Sequence, residues 1–332
     1  MSYKYDKLYV ALVTPFKPGT EEIDEAAWRS FLRYWAQPRF VDAGGSVIVS
    51  PEAGEVFYTT KEEKVRLAEI ALEEVGDKML VVSGVMQPTT KGCVEEAKAL
   101  KEVGVQGLFL IPPMGAIDIT TRWDPIKFPE VWTDQLQTIC DAVDLPVITH
   151  PAGGKYGGIP VPAMLKILDA VPQIVGWKMI TPTMRATAQA LREYSASKRH
   201  VGILMAGATW FHEALAYDHF DGTVSGFWNY AMEPMMDHLD AWRKNDVVKA
   251  RQVLFDGLIQ LHDYVMGSEE DFRLHSAYKV ATWLRGLIPD PFMRAPQRRL
   301  HTEHVRKLRD LLKACHLEVI PDKDIKKAYP DV

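Results

Sequence analysis

Short apolar and β-branched runs recur along the first two thirds of the chain, each followed by a longer stretch of helical period. Eight stand out: Leu8 to Val13, Ser46 to Ser50, Met79 to Ser83, Gly107 to Ile111, Pro146 to His150, Ile174 to Met179, Val201 to Met205 and Gly222 to Ser225. Runs of this kind separated by helices signal parallel strands joined by crossover connections. Between the first two, Trp28, Phe31, Leu32 and Trp35 fall at i, i+3, i+4 and i+7 behind the capping candidate Asp24. Thr60 and Glu63 have capping-box spacing ahead of the stripe Val65, Ala68, Leu72 and Val75.

Eight strand-helix units in about 225 residues is the size at which a parallel sheet closes on itself, whereas an open doubly wound sheet has fewer strands. The pattern therefore predicts an α/β fold, a (β/α)8 TIM barrel. After Ser225 the strand signals stop, and Met235 to Val265, Ser276 to Leu287 and Thr302 to His316 read as helices. A proline-rich strap, Ile288 to Pro296, separates the last two. Residues 1–230 are thus expected to form the barrel and residues 231–332 a C-terminal helical region.

Composition adds exclusions. The 332 residues are 47% hydrophobic and 25% charged, which is ordinary for a globular chain. With 39 Lys+Arg against 44 Asp+Glu, the formal net charge is −5, without the basic excess that binding nucleic acid requires. Cys93, Cys140 and Cys315 lie far apart with no CxxC spacing and are expected to be reduced thiols of a cytoplasmic protein. The N-terminal residues lack the apolar stretch of a secretory signal. The uncharged run Val103 to Ile117 is too short to cross a bilayer, so no membrane partner is expected.

In a barrel the reactive groups stand at the C-terminal ends of the strands. Lys178 is conspicuous there, inside Ile174-Val175-Gly176-Trp177-Lys178-Met179-Ile180. Burying an ammonium lowers its pKa; a move from about 10.4 to about 7.4 costs about 4 kcal/mol and raises the free-amine fraction at neutral pH roughly a thousandfold. Such an amine attacks carbonyls and forms Schiff bases. The strand alone leaves a second reading, a lysine that snorkels to the barrel mouth or pairs with a carboxylate.

Several segments carry a resemblance. Val10-Ala11-Leu12-Val13-Thr14-Pro15-Phe16 is similar to the opening strand of the dihydrodipicolinate synthase and N-acetylneuraminate lyase family. Ala53-Gly54-Glu55, Thr59 to Lys64, Leu145 to Ile148, Val175-Gly176-Trp177-Lys178 and Asp221 to Gly226 follow in matching order, so the resemblance covers roughly residues 8 to 260. It implies a (β/α)8 barrel with C-terminal helices, assembled as a homodimer or homotetramer, and catalysis without metal or other cofactor. It also implies a lysine on the sixth strand that forms a Schiff base with pyruvate or another 2-oxo acid. That position is Lys178.

The chain departs from the family at several positions. The family's Gly-Thr-Thr-Gly-Glu loop, whose threonines hold the substrate carboxylate and relay a proton, reads Pro51-Glu52-Ala53-Gly54-Glu55 here. Glu52 and Ala53 are the substrate contacts by that alignment. The tyrosine ending strand five is replaced by His150, and the two tyrosines after strand four fall at Met114 and Gly115. His150 follows an apolar strand and should stand at the barrel mouth, in a pKa range suited to proton transfer. Its alternatives are substrate binding and space filling. Glu52 reads as a second proton-transfer group, a partner for a substrate hydroxyl, or a loop glutamate. Glu55 reads as structural.

In the loop Gly153-Gly154-Lys155-Tyr156-Gly157-Gly158, Lys155 aligns with the family's carboxylate-binding arginine, the alternative being a solvated lysine. Trp177 should face the helices, while Trp210, Phe211 and Trp228 either line the mouth or fill the core. His212-Glu213 lacks the second histidine of a helical zinc motif, so no metal site is expected.

The expected activity is a Schiff-base lyase acting on a small-molecule 2-oxo acid through Lys178, with His150 as the acid/base. The reaction would be aldol cleavage, aldol addition or dehydration. A dehydratase of 2-keto-3-deoxy sugar acids and an arylidene-pyruvate hydratase-aldolase are rivals in the same class. A catalytically silent 2-oxo acid binding protein is the rival outside it.

Overall fold

The computed structural model describes residues 3–113, 123–153, 155–180, 184–267 and 273–331. All eight expected strands are present: β1 Leu8–Ala11, β2 Gly45–Val49, β3 Val81–Val85, β4 Gly107–Leu110, β5 Val147–Thr149, β6 Ile174–Met179, β7 Gly202–Met205 and β8 Gly222–Ser225. They pair in chain order as parallel neighbours, and β8 closes on β1 with Leu8 opposite Thr223. The result is a closed (β/α)8 barrel.

Its interior is filled by Tyr9, Ile48, Val82, Phe109, Ile148, Leu204 and Val224, one from each strand except β6. There the inward position is Gly176, where a Cβ would stand 2.6 Å from Leu204 Cδ1 and 3.5 Å from Ile148 Cγ1. The neighbouring side chains occupy that space, so only glycine fits. Strand side chains alternate, so Lys178, two residues on, points the same way as that missing Cβ, toward the mouth. Trp177 faces outward and lies against Trp132 of helix Glu130–Val143, with ring centroids 6.2 Å apart.

The helix signals have the expected causes. Asp24 accepts a hydrogen bond from the Ala27 backbone N–H at 3.0 Å and starts helix Glu25–Trp35, whose Trp28, Phe31, Leu32 and Trp35 are all buried. Thr60 and Glu63 form a reciprocal capping box for helix Lys61–Val75. The three cysteines are buried and free.

Some boundaries differ from expectation. β3 begins at Val81 rather than Met79 because the backbone N–H groups of Lys78 and Met79 still bond to Val75 O. The single helix expected over Met235 to Val265 is broken twice, at Asn245 and Gly257, which hold φ of 59° and 89°. The tail carries a further short helix, Asp322–Ala328. Helix Trp228–Arg243 follows β8 and is bound to β1, since Asn229 accepts from Val13 N at 3.1 Å and donates to Ala11 O at 2.7 Å. The boundary expected at residue 230 falls inside it.

Candidate active site

The C-terminal mouth of the barrel opens into a cavity of about 1050 Å³. Its floor carries Lys178, His150, Glu52 and Ala53, and its roof is built by His275, Tyr278 and residues of the 296–304 segment.

The turn after β2 sets the position of Glu52. Ser50 leaves the strand at φ 51°, residues Glu52–Gly54 make one 3-10 turn, and Glu55 closes it in the left-handed region at φ 64°. A Cβ on Gly54 would lie 2.6 Å from Leu12 O and 2.8 Å from Pro51 Cδ, so a larger residue would push the turn off the barrel. Thr14 Oγ1 donates to Gly54 O at 2.9 Å. On the far side, the buried Glu55 carboxylate pairs with Lys279 and accepts from the Arg294 backbone N–H at 3.1 Å. Glu55 is structural, as expected. The backbone N–H groups of Glu52 and Ala53 donate to no described acceptor, which leaves Ala53, on the cavity wall, able to offer one to a bound anion.

His150 stands immediately after β5, its backbone N–H donating to Leu110 O at 2.8 Å. Its ring lies nearly parallel to Phe109, 5.9 Å between centroids, and Lys178 Nζ sits 5.8 Å from the same ring on its way into the cavity. His150 Nδ1 is hydrogen-bonded to Glu52 Oε1, and the two side chains are only 13% and 10% exposed.

The electrostatics of the pair are directional. Burial pushes the Glu52 carboxyl up, but His150 and Lys178 beside it prevail and bring it down to about 2. Burial pushes His150 below its usual range and Lys178 adds to this, together outweighing the carboxylate. At neutral pH, then, an ionised Glu52 accepts the Nδ1–H of a neutral His150, and the lone pair is left on Nε2. A histidine so oriented has a lone pair able to accept a proton.

The structure does not bring Lys155 to the others. Its side chain is 47% exposed, its ammonium lies 3.4 Å from Asp124 Oδ2, and it is absent from the cavity wall. Lys155→Met is therefore expected to change the apparent KM for a 2-oxo acid by less than about twofold, since the side chain stands apart from the cavity wall; steady-state kinetics check this. Met114, Gly115 and Gly154 lie outside the described residues. Trp210 lines the cavity, whereas Phe211 and Trp228 are wholly buried against each other. Among the described residues, the one cluster of three groups spaced to hold a metal, Asp6, His200 and Asp221, lies at the opposite end of the barrel, ahead of β1, β7 and β8.

Sequence reasoning missed His275. It sits on the first turn of helix Leu274–Leu284 and lines the cavity with Lys178. Burial pushes it down to about 4, with Lys178 and His150 pressing the same way and Glu52 opposing.

The Dihydrodipicolinate synthetase family matches this sequence over residues 4–315. The chain belongs to that family. The 4-hydroxy-tetrahydrodipicolinate synthase of Heliobacterium modesticaldum is 27% identical over 191 residues, 57% of this chain and 58% of that relative's length. Among solved structures, a prophage protein of the dihydrodipicolinic acid synthase family from E. coli K12, in complex with pyruvate, has a TM-score of 0.78 at 18% identity, covering 94% of this chain and 99% of its own. N-acetylneuraminate lyase from Mycoplasma synoviae has a TM-score of 0.74 at 17% identity, covering 94% and 98%. These likenesses establish the shared barrel. No helix of the described residues is long and apolar enough to cross a membrane.

Proposed function

We propose that this protein is a lyase that binds a 2-oxo acid as a Schiff base on Lys178 and moves the adjacent carbon's proton with a His150–Glu52 dyad. The observation that carries this reading is the hydrogen bond between His150 and Glu52 on the wall of the cavity that receives Lys178.

The Lys178 amine adds to the C2 carbonyl, and loss of water leaves an iminium, an electron sink for chemistry at C3. Ala53 N–H, at the start of its 3-10 turn, is placed to donate to the C1 carboxylate. His150 Nε2 takes a proton from C3 to give the enamine and returns it later, while Glu52 fixes the tautomer that makes this possible. A tyrosine hydroxyl, with an ordinary pKa of about 10, would pass a proton as a neutral donor. An imidazole backed by a carboxylate does the work here without a tyrosine at the end of β5. Aldol cleavage, aldol addition and dehydration all pass through this same iminium and enamine.

Deuterium exchange tests the reading without knowledge of the natural substrate. In D2O the enzyme should replace the methyl protons of pyruvate, followed by proton NMR, and Lys178→Ala should reduce the rate to that of buffer. Absence of exchange in the wild-type protein would remove the enamine from the mechanism.

A further inference from the structure

We infer that Lys279, supplied by the C-terminal helices, is a positioning residue for proton transfer: by clamping Glu55 it holds Glu52, at the other end of the same turn, against His150. This rests on the Schiff-base reading above, with His150 and Glu52 as the proton-transfer pair, and adds the group that keeps that pair assembled.

The turn has to be held from outside. Ser50 leaves β2 at φ 51°, and Glu55 ends the 3-10 turn at φ 64°. Both lie in the left-handed region, which residues bearing a Cβ keep only where their surroundings impose it. The turn itself contributes little. Gly54 N–H and Val56 N–H donate to Pro51 O at 2.9 and 3.2 Å, and Glu55 N–H donates to Glu52 O at 3.0 Å. Through this last bond any rotation at Glu55 reaches the backbone of Glu52.

A buried charge imposes the conformation on Glu55. One carboxylate oxygen pairs with Lys279 Nζ, with both side chains wholly buried, and the other accepts from the Arg294 backbone N–H at 3.1 Å. Lys279 is itself held, donating to Phe292 O at 3.1 Å and lying 4.5 Å from the centre of the Phe16 ring. Arg294 covers the same ring at 4.3 Å and grips Glu63 through two bonds of 2.5 and 2.7 Å. A carboxylate so far from water keeps its charge only beside a cation. Helix Leu274–Leu284, which carries Lys279, therefore fixes where the turn ends.

This sequence of contacts runs from Lys279 to Glu55, from Glu55 to Glu52, and from Glu52 to His150. It does not pass through β6. Removing the Lys279 ammonium leaves Glu55 a buried charge without its partner; the side chain turns toward water, the backbone leaves the left-handed region, and the Glu52 carboxylate is drawn off His150 Nδ1. Lys178 keeps its place on β6, so the iminium still forms while proton transfer at C3 fails. General support of the fold would not separate the two steps in this way.

Two variants test the clamp, Lys279→Met and Lys279→Met combined with Glu55→Gln, the second leaving no buried charge unpaired and so sparing the fold. Each is followed by pyruvate methyl exchange in D2O and by borohydride trapping at Lys178. Exchange is expected to fall at least about tenfold in both, the scale of a displaced catalytic group, while the adduct forms as in wild type. In a Glu52→Gln background Lys279→Met should cost less than about threefold more, because the group it acts through is already gone. The acid limb of exchange should also move to lower pH in Lys279→Met. Of the groups facing His150, Glu52 raises its pKa whereas burial and Lys178 lower it, and only Glu52 has moved away. Exchange within about threefold of wild type in both variants, an equal loss in the Glu52→Gln background, or an adduct that falls in parallel with exchange would overturn the assignment. Undiminished exchange in Glu52→Gln itself would overturn the dyad and this assignment with it. A wild-type protein that neither exchanges nor traps pyruvate would overturn the Schiff-base reading on which both stand.

Discussion

Lys178→Ala is expected to lower turnover by at least about 10⁴-fold while leaving the fold and the cavity in place. Loss on this scale follows removal of a covalent nucleophile, because the surrounding groups can still bind substrate but have no electron sink to act on. The side chain is partly buried at the mouth rather than locked in the core, so truncating it leaves the filled interior of Tyr9, Phe109, Ile148 and Leu204 undisturbed. Thermal unfolding should therefore show a midpoint near that of wild type. Turnover above about a tenth of wild type in the variant would mean that the iminium forms elsewhere or not at all.

His150→Phe is expected to cost about 10² to 10³ in turnover and to abolish pyruvate exchange, while the adduct at Lys178 still forms. Positioned proton transfer contributes on this order. The pH profile supplies the sharper readout. His150 is held below its usual range, so its basic form prevails at neutrality, and wild-type turnover should fall only as the pH drops through a value below the ordinary 6.5. His150→Phe should lose that acid limb. Glu52→Gln should shift it and lower turnover at least about tenfold, because the amide fixes the tautomer less well than the carboxylate. An unchanged profile in His150→Phe would make the histidine a packing residue.

The parts of this design that a sequence reader can see are those with local causes. β-rich runs punctuated by capped helices mark a barrel, and the eight strands follow from them. Lys178 and His150 are conspicuous because each is a polar residue at the end of an apolar strand, and strand alternation alone sends Trp177 outward and Lys178 inward. The pairing of Glu52 with His150 spans 98 residues and depends on how the 3-10 turn bends back over the barrel, which Gly54 and the left-handed Glu55 decide. Lys155 shows the reverse case, since alignment brings it near a functional position but the loop turns its ammonium toward Asp124. His275 gives no strand-end signal. Its trace lies in Lys279, a lone lysine among the apolar residues of helix Leu274–Leu284, whose burial with Glu55 ties that helix to the site. The breaks at Asn245 and Gly257 escape a periodicity argument because the apolar stripe continues across them.

Borohydride trapping bears most directly on the whole account. The protein is incubated with pyruvate, reduced, weighed intact and mapped by peptide mass. The expected result is one reduced pyruvate adduct per chain on Lys178, absent from Lys178→Ala and retained in His150→Phe. An adduct on another lysine, or none with pyruvate or any longer 2-oxo acid, would contradict Schiff-base catalysis at this site.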